Sequence, residues 1–409
     1  MKAIGGDIML KSVGVIVEYN PFHHGHMYHL TEAKRISEAD VLIAVMSGNF
    51  LQRGEPALVS KWTRTKMAIA GGADIVVELP YAFATQKAET FAFGAISILD
   101  ALHCDSYCFG SEAGDTNKIA ETIHFLATNR EKYEQLVRFY IKKGDSYPTA
   151  SSKAFFSLDD NSKHLDLSKP NNILGYHYMK AAMQLQSKMN AYTVKRKAAQ
   201  YNDRHLPAGT IASATSIREK LQTEKNIDVI EQYVPQTTLE ELRRYQIKFG
   251  LLSNWEHYWP FLQYRLLTAD VKEIANIYEM EEGIEYRLKK AAKYANSFQS
   301  FMKEVKTKRY TWTRIQRMCV HILTNTTKKE MQQHHEQVSH IRLLGMNKKG
   351  QLYLRQVKRQ IPIPFISTLS LAPKKTLSLD VRATETYAQC YPEPARTQLI
   401  KMEYEMKPI

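Results

Sequence analysis

Asn20-Pro21-Phe22-His23-His24-Gly25-His26 follows directly on the apolar run from Val13 to Val17 and opens a stretch of helical period, so it reads as the turn between a first strand and a first helix. Backbone N–H groups at a helix start are unpaired and carry the positive end of the macrodipole, which makes such a turn a seat for a phosphate chain. His23 and His26, three positions apart, project from one face. Gly25 removes a side chain where a nucleotide has to approach the backbone closely. An H-x-G-H of this kind donates hydrogen bonds to phosphoryl oxygens as charge shifts onto a leaving pyrophosphate. Histidine pairs on a surface are usually idle; the strand-to-helix setting is what favours a nucleotide here.

A second segment points the same way. Ile211-Ala212-Ser213-Ala214-Thr215-Ser216-Ile217-Arg218-Glu219 is a hydroxyl-rich loop feeding a helix, with Ser216 and Glu219 spaced as a capping box. That spacing puts Arg218 in the first turn, where the dipole disfavours a cation unless an anion is bound nearby. A triphosphate resolves the conflict: Ser213, Thr215 and Ser216 supply short donors, and Arg218 a fork for the outer phosphates. Taken alone, the segment reads as a capped surface helix; beside the histidine motif it becomes part of a site. The candidate catalytic residues are therefore His23, His26 and Arg218.

Around these motifs the first half alternates strands, expected over 13–18, 41–46, 75–79, 106–109 and 192–195, with helices over 27–37, 61–70, 88–102, 118–140 and 172–186. Such alternation predicts an α/β, Rossmann-like domain over residues 1–225, a parallel sheet covered on both faces with ligands at the carboxyl ends of its strands. Met46-Ser47-Gly48-Asn49 and Phe109-Gly110-Ser111-Glu112 are candidate pocket walls, or ordinary strand-to-helix turns. Residues 226–409 read as a second, mainly helical domain, with helices over 227–249, 256–267, 271–294, 298–305 and 312–323. In the last of these Ile315, Met318, Cys319 and Ile322 form an apolar stripe that leaves Arg314 and Arg317 off it. From about residue 341 possible strands mix with prolines, and the assignment stays open.

Charge is distributed unevenly. From Arg287 to Arg359 there are eighteen Lys or Arg against three acids, an excess of fifteen in a chain whose total is +14. Within it Lys306-Thr307-Lys308-Arg309-Tyr310-Thr311-Trp312-Thr313-Arg314 interleaves cations with aromatics, which suits phosphate contacts plus stacking on unpaired bases. Lys306, Lys308, Arg309, Trp312, Arg314 and Arg317 are the candidate nucleic-acid contacts. The bland alternative is a solvated face. Nothing in the sequence is long and apolar enough to span a membrane, and the N-terminus makes a poor signal peptide. The four cysteines show no disulfide or zinc pattern, which predicts reduced thiols, no protein-held metal centre and a cytoplasmic location.

The H-x-G-H turn and the hydroxyl loop ending in Arg218 resemble the nucleotidyltransferase superfamily shared by pantothenate synthetase, nicotinate-nucleotide adenylyltransferase and class I aminoacyl-tRNA synthetases. More narrowly, Val17-Glu18-Tyr19-Asn20-Pro21-Phe22-His23-His24-Gly25-His26, Met46-Ser47-Gly48-Asn49-Phe50-Leu51-Gln52-Arg53-Gly54-Glu55-Pro56 and Lys169-Pro170-Asn171-Asn172-Ile173-Leu174-Gly175-Tyr176 look like the bacterial tRNA(Met) cytidine acetate ligases. The resemblance implies ATP-dependent acetylation of the wobble cytidine of elongator tRNA(Met), from free acetate, with Mg2+ expected beside the ATP. It places ATP contacts on the segment from Ile16 to His29, including Ile16, Val17, Glu18, Tyr19, Asn20, Pro21, Phe22, His23, Gly25 and His26, and on Gly110, Asn171, Arg196 and Lys197. His24 stands where the family pattern has Asn; its side chain is expected to point away from the phosphates.

Two other functions fit parts of the same sequence. A small-molecule adenylyltransferase or ligase of cofactor biosynthesis shares the first domain but has no need of the basic segment. A non-catalytic RNA-binding protein needs that segment but not the paired histidines with Arg218.

Overall fold

The computed structural model describes residues 9–159, 164–196, 209–334, 336–372 and 376–409. Its sheet grows from the apolar runs: β1 (Ser12–Val17), β2 (Val41–Ser47) and β3 (Ile75–Leu79) are buried along almost their whole length. This is the pattern of parallel strands covered on both faces. With β4 (Ser106–Ser111) and β5 (Asn190–Lys195) they form a parallel array in the order β5-β4-β1-β2-β3. The chain steps outward from β1 through β2 to β3, then returns to the other side of β1 for β4. The order therefore reverses between β1 and β4, and the crevice beyond their carboxyl ends is where such sheets bind ligands.

All five strands lie where the apolar periodicity put them, and the differences lie in helix continuity. The stretch 118–140 is two helices, Thr116–Thr128 and Arg130–Lys142, joined at Asn129. Pro235 divides 227–249 into a short 3-10 turn, Asp228–Tyr233, and the helix Gln236–Phe249. The stretch 271–294 is likewise split, into Val271–Ala275 and Ile284–Tyr294, because Glu279, Glu282 and Gly283 adopt positive φ.

The open end of the chain resolves into the sheet. β6 (Ile341–Met346) pairs antiparallel with β3, and β7 (Phe365–Ile366) pairs parallel with β6. What joins this return to the first half is ionic as well as apolar. Lys61 donates to Glu78 at 2.7 Å and to Glu403 at 2.9 Å, with Arg342 against the same Glu403, and all four side chains are buried. One cluster thus ties the helix Lys61–Ala70, β3, β6 and the last helix, Ala395–Glu405. Arg342, counted above within the basic segment, belongs to this core and not to any surface. Among the described residues no helix is long and apolar enough to cross a membrane.

Candidate active site

A cavity of about 260 Å³ opens at the reversal between β1 and β4. Of the expected residues, Ile16, Val17, Glu18, Tyr19, Asn20, His23, Gly25, His26, Gly110, Asn171, Arg196, Ser213, Thr215 and Arg218 line it. Pro21, Phe22 and Ser216 do not: Phe22 packs in the core and Ser216 is buried against Ser213. Lys197 lies outside the described residues. The wall expected from Met46-Ser47-Gly48-Asn49 is absent from the cavity. The carbonyls of Ser47 and Gly48 instead take the buried Arg64 guanidinium, and the Asn49 side chain accepts from Lys61 N at 2.9 Å.

The histidine turn is held by its own rings. His23 is the N-cap of the helix His24–Ser37, its Nδ1 accepting from Gly25 N at 3.0 Å, while His26 Nδ1 accepts from His23 N at 3.3 Å. The two imidazoles stack with centroids 3.7 Å apart. Because Nδ1 is the acceptor in both rings, each carries its proton on Nε2 and remains a donor. Burial, reinforced by Arg196, lowers the His23 pKa to about 3 and holds His26 well below its ordinary value. Both are therefore neutral donors at neutral pH. The backbone donors of the turn are largely used within it, since His23 O accepts from His26 N at 2.8 Å and Met27 N at 3.1 Å. The Nε2–H groups of the two rings are thus left as donors beside a helix terminus whose N–H groups are mostly taken up within the turn. A Cβ at Gly25 would stand 2.8 Å from His23 Cε1, so glycine here keeps the ring in place. His24 lies off the cavity, as expected.

The hydroxyl segment differs by one turn from its expected form. Ser213, not Ser216, caps the helix Ala214–Glu224 by accepting from Ser216 N at 3.0 Å. Arg218 consequently lies in the second turn. Its guanidinium donates to Asn20 O at 2.9 Å and to Glu55 Oε2 at 2.7 Å, so a carboxylate of the chain already answers its charge.

Glu55, Gln52 and Arg53 also line the cavity, although nothing in their spacing predicts a role in the site. They sit on a tight loop, closed by Leu51 N to Glu55 O at 2.9 Å, whose Gln52 N donates to Glu18 Oε1 at 2.9 Å. Burial raises the Glu18 pKa, the Gln52 N–H opposing it. The back of this loop touches the helical half. Gly54 has φ +74, and a Cβ there would lie 2.2 Å from Arg317 N; its carbonyl accepts from Trp255 Nε1 at 2.9 Å. At the other wall Glu112 accepts from Asn171 Nδ2 at 2.6 Å and from Asn172 N at 2.8 Å, fixing the start of the helix Pro170–Gln184.

The candidate nucleic-acid contacts divide. Lys306 and Lys308 are exposed and Trp312 is partly so. Arg309 pairs with Glu282 at 2.8 Å and Arg314 with Glu281 at 2.5 Å. Arg317 is buried against Glu279 at 2.8 Å and presents no surface to a partner. The acids that neutralise these arginines lie just upstream of the counted segment. No cluster of three or more His, Cys, Asp or Glu suited to a metal ion occurs among the described residues.

Residues 10–402 match the family model described as HIGH Nucleotidyl Transferase. The chain is 48% identical to the tRNA(Met) cytidine acetate ligase of Halalkalibacterium halodurans, over 98% of this chain and 97% of that protein. It is 46% identical to the protein of the same name from Bacillus subtilis, over the same shares. Among solved structures, Thermotoga maritima TmcAL bound with alpha-thio ATP superposes with a TM-score of 0.88 at 32% identity, covering 98% of this chain and 99% of that one.

Proposed function

The chain belongs to the HIGH nucleotidyl transferase family and, within it, to the tRNA(Met) cytidine acetate ligases, and from that premise we propose how its residues divide an ATP-dependent ligation on tRNA. ATP occupies the cavity at the β1–β4 reversal. Acetate attacks the α-phosphate, forming acetyl-adenylate as the bond to pyrophosphate breaks. The exocyclic amine of the wobble cytidine of elongator tRNA(Met) then attacks the acetyl carbonyl, expelling AMP and leaving N4-acetylcytidine. His23 and His26 donate Nε2–H hydrogen bonds to the phosphoryl oxygens that gain charge, and being neutral they do so without transferring the proton. Arg218, steadied by Asn20 O and Glu55, and Arg196 hold the triphosphate. Ser213 and Thr215 border it.

Glu18, a carboxyl on the cavity wall, would be the hard oxygen donor to hold a Mg2+ accompanying ATP, and the ion would supply neutralisation of phosphate charge there. Residues 1–225 carry this chemistry, and the exposed Lys306 and Lys308 of residues 226–409 contact tRNA phosphates. The observation that carries the reading is the stacked, neutral histidine pair at the strand-order reversal. Incubation with ATP, labelled acetate and total tRNA tests it: label is expected in cytidine of elongator tRNA(Met), and label in a small molecule alone would favour a cofactor-forming ligase.

A further inference from the structure

With Arg309, Arg314 and Arg317 committed to acids, the interleaving of cations and aromatics sought in residues 306–314 reappears elsewhere on the surface. The helix Ile284–Tyr294 exposes Tyr286, Lys290, Lys293 and Tyr294, spaced i, i+4, i+7 and i+8 on one face. Tyr286 is 65% exposed and Tyr294 82%. The neighbouring helix Trp255–Thr268 turns Phe261 and Tyr264 outward, Tyr264 being 69% exposed, where a surface helix would ordinarily carry charge. The two helices are clamped together. Gln263 Nε2 donates to Ala292 O at 2.9 Å and Ala295 O at 3.0 Å, and Lys289 Nζ to Leu266 O at 2.6 Å. Beside Phe261 and Tyr264 lies a cleft of about 480 Å³, room for a planar heterocycle to leave a strand and lodge.

We propose that the outward faces of these two helices form a stacking platform for unpaired bases of the tRNA, with Lys290 and Lys293 on the intervening phosphates. This rests on the reading of the chain as a ligase acting on tRNA. Rings spaced by ammonium groups match a single strand, whose bases offer apolar faces at intervals along a line of negative charge. A protein partner would find too much positive charge on one helix, and a second copy of the chain would bring like charge against like.

Stacking and phosphate contacts differ in salt dependence, which gives the test. Binding of an unmodified elongator tRNA(Met) transcript is measured by filter retention at several salt concentrations. Tyr264→Ala, Tyr286→Ala and Tyr294→Ala combined are expected to weaken binding by about tenfold or more at every salt, with the slope of log K against log salt unchanged. Phe at the same three positions is expected to bind as the parent does. Lys290→Ala with Lys293→Ala is expected to flatten the slope. Acetate-dependent pyrophosphate exchange without tRNA reports that the fold and cavity are intact. Unchanged affinity in the triple Ala variant overturns the platform, as does a changed oligomeric state with unchanged affinity, which would make the face a self-association surface. A parent protein that fails to retain the transcript at all sinks the ligase reading itself, and the platform with it.

Discussion

The proposed nucleotide cavity and the helical surface handle charge in opposite ways. In the cavity, burial keeps His23 and His26 neutral and raises the Glu18 carboxyl, while Arg218 arrives already paired with Glu55. Every group is oriented before a substrate enters, which is the condition for stabilising charge that develops only in the transition state. On the helical surface Lys290, Lys293, Lys306 and Lys308 stand exposed in water. They suit a partner recognised by its length and charge, at a strength that salt can tune. The loop carrying Gln52, Arg53 and Glu55 is where the two regimes meet, its front on the cavity and its Gly54 against the backbone of Arg317.

The contrast is sharpest within the basic segment itself. Arg342→Ala removes a buried cation from Glu403 and Glu78 and is expected to cost about 3–5 kcal/mol of stability, read by chemical denaturation. Lys308→Ala, at an exposed position, is expected to leave stability unchanged and lower the salt dependence of tRNA binding. Equal behaviour of the two variants would break the distinction between core and surface charge.

His23→Ala or His26→Ala is expected to lower acetate-dependent AMP formation by roughly 100-fold. Because His23 also caps a helix, His23→Asn serves as the fold-preserving control, an amide being a good cap without an imidazole. Near-normal turnover in that variant would remove the catalytic role. A smaller effect is expected at Arg218→Ala and Arg196→Ala, each weakening ATP retention by about tenfold, as loss of a guanidinium contact to phosphate does. ATP affinity unchanged in both would displace the triphosphate from this cavity.

Acidity should separate stability from catalysis. The His23 pKa of about 3 lies below the ordinary 6.5, so the unfolded chain binds the proton more readily. The stability linked to that ring is complete above pH 6.5 and drains away as pH falls toward 3. The rate per folded molecule is expected to show no inflection near 6.5, since the ring stays neutral there. A rate that halves at that pH would mean that the histidines work as charged groups.

The sheet and the cavity were legible in the sequence because their signals are local. An apolar run of strand length, H-x-G-H spacing and a serine before a helix keep their meaning whatever surrounds them. Even so, the cap fell on Ser213 rather than Ser216, and Glu55 stayed unseen because nothing local reveals that it meets Arg218 across 163 positions. Charge along the basic segment was the less faithful guide. Counting it could not show that Glu279, Glu281 and Glu282 fold back on Arg317, Arg314 and Arg309, nor that Arg342 is core. β6 stayed an open possibility for the same reason: a strand holding a buried arginine reads as surface until its carboxylate partner, near the end of the chain, is known.

Acetyl-adenylate formation without tRNA and acetyl transfer to tRNA, measured side by side on one variant, test the division of labour most directly. Lys306 and Lys308 reversed together to Glu place two repulsions along a polyanion while leaving the cavity untouched. The division of labour predicts adenylate formation at the parent rate with acetylation of elongator tRNA(Met) lost at physiological salt. Normal acetylation of tRNA by this variant, or the loss of both activities in a folded protein, would contradict it.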